Sequence, residues 1–218
     1  MAYGKSGTSG PKFSIDKISY LPIHTKLPNS EKISLHHYQQ STDEASIHEI
    51  LKIICNDEGN SYPFTDMSTL ELFRSYYTTH DTFVAKINNV PVGAFYVKPN
   101  FPGRSGHICN GGFIVHPEHR GKRIATFLAY CFRFIARDLG YEASFFNLVY
   151  KSNEASVKLW RRFGFVEIGV VPKAGKLRGS DGKDFYSDAI QMYCDFDQHD
   201  FEGQIVPDWL NSKYSKFG

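Results

Sequence analysis

No stretch of the sequence is apolar for long enough to cross a bilayer, and no block of like charge interrupts it. The formal net charge of +2 is too small to support binding to nucleic acid or to an anionic membrane, and no acidic run exists to attract a basic peptide. Cysteine is sparse: Cys55, Cys109, Cys131 and Cys194 form no CxxC pair and share no ligand spacing with histidine. A disulfide framework and a structural zinc site are therefore not expected, no metal is expected, and a reducing compartment is the simpler setting. The histidines are dispersed as well; His36 and His37 adjoin, but neighbours in a strand face opposite ways. Residues 1–12 are rich in glycine and serine and contain neither an arginine nor the apolar core of a signal peptide. Cytoplasm is the expectation, with mitochondrial or nuclear presence left open.

What the chain does have is apolar and aromatic content, 41% and 15% of 218 residues, enough to fill the core of one domain. Residues 1–29 are turn-rich (Gly4, Gly7, Gly10, Pro11, Pro22, Pro28) and read as an extended or partly disordered arm. Residues 30–199 carry the periodic segments and form the domain, and residues 200–218 read as a surface tail. Within the domain, residues 31–39 suit a strand. Ser41 and Glu44 have capping-box spacing before Ile47, Ile50, Leu51 and Ile54 at helical intervals, and Ser68 with Glu71 repeats the signature before Leu72, Phe73, Tyr76 and Tyr77. Asn88-Asn89 joins two strands, residues 82–87 and 90–98. Residues 143–150 are almost wholly apolar, as befits a strand covered on both faces, and residues 152–160 suit a short helix before closing strands over 165–171 and 185–196. No internal repeat is visible.

The informative stretch is 107–138, HICNGGFIVHPEHRGKRIATFLAYCFRFIARD. It reads as a strand with polar Cys109 and Asn110 near its start, a bend at Gly111-Gly112, an apolar run Phe113-Ile114-Val115, then a basic turn into a helix with Ile124, Leu128, Cys131, Phe132 and Ile135 on one face. A strand that opens through a glycine-containing basic turn into a helix N-terminus makes an anion site, because unpaired amides and the helix dipole both favour negative charge there. Arg120, Lys122 and Arg123 add mobile positive charge, so a phosphate or pyrophosphate is the natural guest.

At these residues the chain resembles the GNAT superfamily of acetyl-CoA-dependent N-acetyltransferases, whose pyrophosphate loop is written Arg/Gln-x-x-Gly-x-Gly/Ala. The matching positions are Arg120, Gly121, Lys122, Arg123, Ile124 and Ala125, with Arg123 where the family usually has its middle glycine. A second block, from Asn153 to Phe165, is similar to the superfamily's Asn-x-x-Ala…Tyr-x-x-x-Gly-Phe segment. The resemblance implies an α/β GNAT fold with a central mixed, mostly antiparallel sheet, splayed central strands and helices on both faces. It implies acetyl-CoA as cosubstrate, held by the backbone of Phe113, Ile114 and Val115, by the loop of Arg120 to Ala125 and by Asn153. It also raises the expectation of a homodimer. Trp160 falls where many members place a tyrosine that protonates the departing thiolate. Indole is no useful acid, so either the thiolate leaves as such, another donor serves, or Trp160 simply packs against the sheet.

The segments 93–121 and 140–175 are similar, more narrowly, to fungal proline-analogue acetyltransferases that act on L-azetidine-2-carboxylate. Asn147 interrupts an apolar strand, and a buried amide without partners costs about 1–3 kcal/mol, so it needs something to bind. The resemblance implies that Asn110 and Asn147 face the acceptor, a small amino or imino acid, orienting its ring nitrogen and holding its carboxylate. Ser61, Tyr62, Pro63 and Phe64 either wall that pocket or anchor the core. A base must take the ring proton; His107, His116, Glu142 and an ordered water chain are all open candidates. The alternatives are a protein or peptide amine as acceptor, and a CoA-binding module without catalysis.

Overall fold

The structure, a computed structural model, describes residues 18–197. Residues 1–17 of the arm and the tail over 200–218 lie outside the described residues. The elements in order are β1 (Ile23–Lys26), β2 (Lys32–His37), α1 (Gln40–Lys52), α2 (Leu70–Tyr76), β3 (Asp81–Ile87), β4 (Val90–Pro99), β5 (Ile108–Val115), α3 (Ile124–Asp138), β6 (Ala143–Tyr150), α4 (Glu154–Arg162), β7 (Val166–Arg178) and β8 (Asp184–Asp195). They build one eight-stranded sheet in the order β1-β2-β3-β4-β5-β6-β8-β7, antiparallel except between β5 and β6. This is the mixed, mostly antiparallel GNAT architecture with helices on both faces.

One face of the sheet is covered by α3 and α4. The apolar stripe of α3 lies on it, with Ile124, Leu128, Cys131, Phe132 and Ile135 all buried. Trp160 of α4 joins Phe113, Phe146 and Phe165 there, at ring distances of 4.7, 4.5 and 5.1 Å. The other face is covered by α1 and α2, whose Ile47, Ile50, Leu51 and Phe73 meet Val84, Ala94, Tyr96 and Ile114 from the strands. Among the described residues no helix is long and apolar enough to cross a membrane.

Local sequence explains most boundaries. Asn88 and Asn89 take φ of 50° and 64°, the left-handed pair that a two-residue hairpin between twisted strands requires. The predicted capping boxes are corrected. α1 starts at Gln40, with the Gln39 amide donating to Asp43 Oδ2 at 3.0 Å, while Glu44 is drawn away into a two-bond pair with Arg74. α2 is capped by Thr69, whose hydroxyl accepts from the Leu72 amide, and not by Ser68. The arm is corrected too: residues 23–26 pair with β2 as the edge strand, because Ile18, Ile23 and Leu27 have core to bury against.

The expected bend at Gly111-Gly112 is absent. β5 runs straight through both glycines, paired with Val97 and Tyr96. What requires glycine is proximity: a Cβ on Gly112 would lie 2.4 Å from the Tyr96 ring, and one on Gly111 would lie 2.7 Å from that of Phe132.

Candidate active site

β5 and β6 are laddered at Ile108–Ala143 and Cys109–Ser144 and at no later position. Beyond those pairs the strands part, which opens a gap in the middle of the sheet. Which backbone groups face the gap follows from the other edge of β5. The Asn100 amide donates to Ile108 O at 2.8 Å and the His116 amide to Val92 O at 2.9 Å. In an antiparallel pair such bonds recur at every second residue, so Asn110, Gly112 and Ile114 turn their backbones to β4 and Gly111, Phe113 and Val115 turn theirs to the gap. Of the expected backbone contacts, Phe113 and Val115 face the gap, whereas the amide and carbonyl of Ile114 belong to the β4 ladder and those of Gly111 face the gap. The Tyr62 hydroxyl reaches into the gap and donates to Phe113 O at 3.2 Å.

The gap leads to the start of α3. Gly121 and Arg123 both take the left-handed conformation, φ of 78° and 69°, and Arg123 is the helix's N-cap without a side-chain cap bond. A Cβ at Gly121 would meet nothing within 4 Å, so glycine is there for its φ alone. Left-handed turns of this kind fold successive amides toward one side. The first bond inside α3 runs from Phe127 N to Arg123 O, leaving the amides of Ile124, Ala125 and Thr126 without helical partners. These residues fit the pyrophosphate of a CoA-type ligand. Two of the basic side chains are already engaged: Arg120 makes a two-bond pair with Glu58, both distances 2.7 Å, and Lys122 lies 3.3 Å from Glu31. Glu58 closes a π-helical turn, Ile53–Glu58, that prolongs α1 toward the loop. Asn153 caps α4, its Oδ1 accepting from Ser156 N at 3.1 Å, which leaves its NH2 as the group available to a ligand.

On the α1/α2 side of the gap sits a polar and aromatic cluster. Asn110 lies across from Lys98 in the ladder, on the same face as Tyr96. Asn147 lies where the β6–β8 register slips between Phe146 and Val149, an irregularity that re-aims its side chain. It is bound to Asn100, which is 2% exposed: Asn147 Nδ2 donates to Asn100 Oδ1 at 2.6 Å, and Asn100 Nδ2 donates back at 3.3 Å. Phe101 and Phe145 stack beside them, with 5.8 Å between ring centroids. Tyr76 and Tyr96 share a hydroxyl contact at 3.0 Å, and Tyr77 donates to both Ala94 O and Gly112 O, at 3.1 Å each, which pins β4 to β5. Burial holds the hydroxyls of Tyr62, Tyr76 and Tyr77 well above their usual range and pushes Tyr96 up to about 12, so all four are donors at neutral pH.

Sequence reasoning missed Asn100 and Lys98. Both had a signal: Lys98 is the one charged residue of VPVGAFYVKP, and Asn100 follows within two residues. The candidate bases are not at this cluster. His107 Nδ1 lies 3.2 Å from Arg104 O, His116 Nδ1 accepts from Glu118 N, and Glu142 is exposed before β6. Trp160 is 4% exposed among aromatic rings, so the packing alternative holds for it. Among the described residues no group of three or more His, Cys, Asp or Glu is arranged to hold a metal, and all four cysteines are free and buried.

Comparison with known proteins agrees with this geometry. The profile of the acetyltransferase (GNAT) family matches residues 46–165, more than half of the chain. The N-acetyltransferase aca1 of Schizosaccharomyces pombe is 48% identical over 91 residues, which are 42% of this chain and 44% of that protein, so the chain spans less than half the length of this relative. A GCN5-related N-acetyltransferase from Kribbella flavida superposes with a TM-score of 0.68 at 26% identity, covering 75% of this chain and 97% of that one. A GNAT superfamily phosphinothricin acetyltransferase from Sinorhizobium meliloti, solved with acetyl-CoA, superposes with a TM-score of 0.63 at 21% identity, covering 75% and 88%, a likeness of fold.

Proposed function

The chain belongs to the acetyltransferase (GNAT) family, and on that premise we propose that it transfers the acetyl group of acetyl-CoA to the ring nitrogen of a small cyclic imino acid such as L-azetidine-2-carboxylate. The observation that carries the acceptor class is the amide cluster. Asn147 is locked to Asn100, and Asn110 lies on the neighbouring strand, facing the same side. Flanked by Phe101, Phe145 and the tyrosines, these residues suit a small polar ring better than an extended peptide.

In this reading the thioester lies along β5, its pantetheine arm against the backbone of Gly111, Phe113 and Val115, its diphosphate on the turn of Gly121 and Arg123. The ring nitrogen attacks the thioester carbonyl. A nitrogen–carbon bond forms, the carbon–sulfur bond breaks, the ring proton passes to solvent and the thiolate leaves. The gap-facing amides of β5 supply the hydrogen bond for the charge that develops on the carbonyl oxygen. With no carboxylate or imidazole bonded to Asn100, Asn110 or Asn147 among the described residues, the rate rests chiefly on positioning and on those amides. Self-association, which the resemblance implies, is assigned to the outer strand β7, where Val166, Ile168 and Val170 are exposed around a bulge at Ile168.

An amine panel with acetyl-CoA, read as free thiol release, tests the reading. Turnover is expected with L-azetidine-2-carboxylate, with kcat/KM reduced at least about tenfold in Asn110→Ala. Turnover confined to peptides bearing a free α-amine or lysine would replace the imino acid with a protein acceptor. CoA binding without turnover on any amine would make the chain a binding module.

A further inference from the structure

We propose that Lys98 is the anchor for the acceptor's carboxylate, so that the enzyme selects amino or imino acids with a free carboxylate over their amides. The inference rests on the acetyl-transfer reading and adds the charge that neutral asparagines do not supply.

Lys98 is 7% exposed, and its ammonium lies over two rings, 4.2 Å from the centroid of Tyr96 and 4.5 Å from that of Tyr76. Its one hydrogen bond is a long one, 3.4 Å to Tyr76 O, although an ammonium carries three donors. No carboxylate pairs with it among the described residues. The contrast with Lys86 is informative: that lysine, nearly as buried, is held by the fully buried Asp43. A buried cation with a counter-ion is a structural element, whereas one without a counter-ion is a cost the fold carries for another reason.

The surroundings say which ligand would relieve it. The groups facing Lys98 are Tyr76 from α2, Tyr96 from its own strand, Asn110 from β5 and His80 from the turn before β3, and none is an anion at neutral pH. Burial lowers Lys98 to about 8, which still leaves it mainly protonated at pH 7. The Tyr96 ring, over which the ammonium sits, lies against Gly112 of β5. The cation is therefore one ring away from the strand that borders the gap, on the same face as Asn110. A carboxylate beside Tyr96 meets the ammonium while the attached ring turns toward the asparagines and the thioester. The two rings exclude water, which strengthens the charge pair once it forms.

The test compares kcat/KM for L-azetidine-2-carboxylate and for its carboxamide in the wild type, in Lys98→Met and in Lys98→Arg, with the thermal midpoint and the KM for acetyl-CoA followed in each. The wild type is expected to prefer the acid. In Lys98→Met the acid-over-amide ratio should fall by about 30-fold or more, mainly through KM for the acid, as removal of one partner of a desolvated charge pair does. Lys98→Arg should keep part of the preference. Equal losses on acid and amide, or a loss confined to kcat together with disappearance of a pH–rate limb near 8, would overturn the anchor. If the wild type acetylates no imino acid, the substrate reading fails by itself. The same acid-to-amide comparison on whichever acceptor the panel identifies then decides the role of Lys98 separately.

Discussion

Asn147 and Asn100 hold each other through both of their amides, with 2.6 Å from Asn147 Nδ2 to Asn100 Oδ1. The pair joins the end of β4 to the irregular point of β6 and passes over β5, the strand between them. On the proposed reading, Asn147 therefore meets the acceptor with its orientation already fixed. Asn100→Ala should cost about 1–3 kcal/mol of stability by orphaning a partly buried amide. It should also lower kcat/KM for the acceptor while the KM for acetyl-CoA stays within about twofold. Denaturant titration and steady-state kinetics on the same preparation check both parts.

Glu58 holds Arg120 and, on the proposed reading, competes with the cofactor's phosphate for it. The carboxylate takes both guanidinium hydrogen bonds, and the pair is partly exposed, so its net contribution to stability is small. Glu58→Gln should tighten CoA by about threefold, and Arg120→Ala should weaken it by about tenfold. Both effects should shrink as salt is raised. Calorimetric titration with CoA at two salt concentrations is the measurement.

Stability should depend on pH through Lys98, and the sign is set. Burial lowers the folded group to about 8, against 10.5 for an ordinary lysine. Between those values the unfolded chain binds more protons, so stability rises with pH across that window; below it the full cost remains, on the order of 3 kcal/mol. Lys98→Met should remove that rise and make the protein more stable at pH 7. Chemical denaturation at pH 7 and pH 9.5 for both proteins decides it, and a steeper rise in the variant would contradict the assignment.

The exposed strand β7 should report on self-association. Ile168 is 57% exposed at the bulge between Val166 and Val170, which are exposed too, apolar positions on an edge strand that a monomer would normally blunt with charge. Light scattering after gel filtration should give a dimer for the wild type and a monomer for Ile168→Lys, with the far-UV spectrum unchanged.

Much of this was legible in the sequence, for identifiable reasons. The stripe of α3 and the Asn88-Asn89 turn are local patterns that tertiary contacts did not override, and the glycine before Ile124 marked a turn that the structure places there. The helix starts were legible to within a residue or two; Asp43 rather than Glu44 reaches back to the Gln39 amide, and Thr69 rather than Ser68 caps α2, because neighbouring side chains can reach the same open amide. Gly111 and Gly112 read as a bend because glycine has two uses, and only the rings of Phe132 and Tyr96 show that close approach is the operative one. The same limit hid Lys98. Its charge in an apolar strand was visible, but the lack of a counter-ion is a property of three dimensions.

The ladder between β5 and β6 ends after Cys109 and Ser144, so the sheet is two plates stitched along a short seam. On the proposed reading, a pantetheine arm lying against β5 adds hydrogen bonds where a neighbouring strand would have made them. Cofactor occupancy then becomes a contribution to cooperativity: the melting temperature should climb with acetyl-CoA concentration, and the amides of Gly111, Phe113 and Val115 should exchange with solvent fastest when the metabolite is scarce. A cell low in acetyl-CoA would hold this protein in its loosest form.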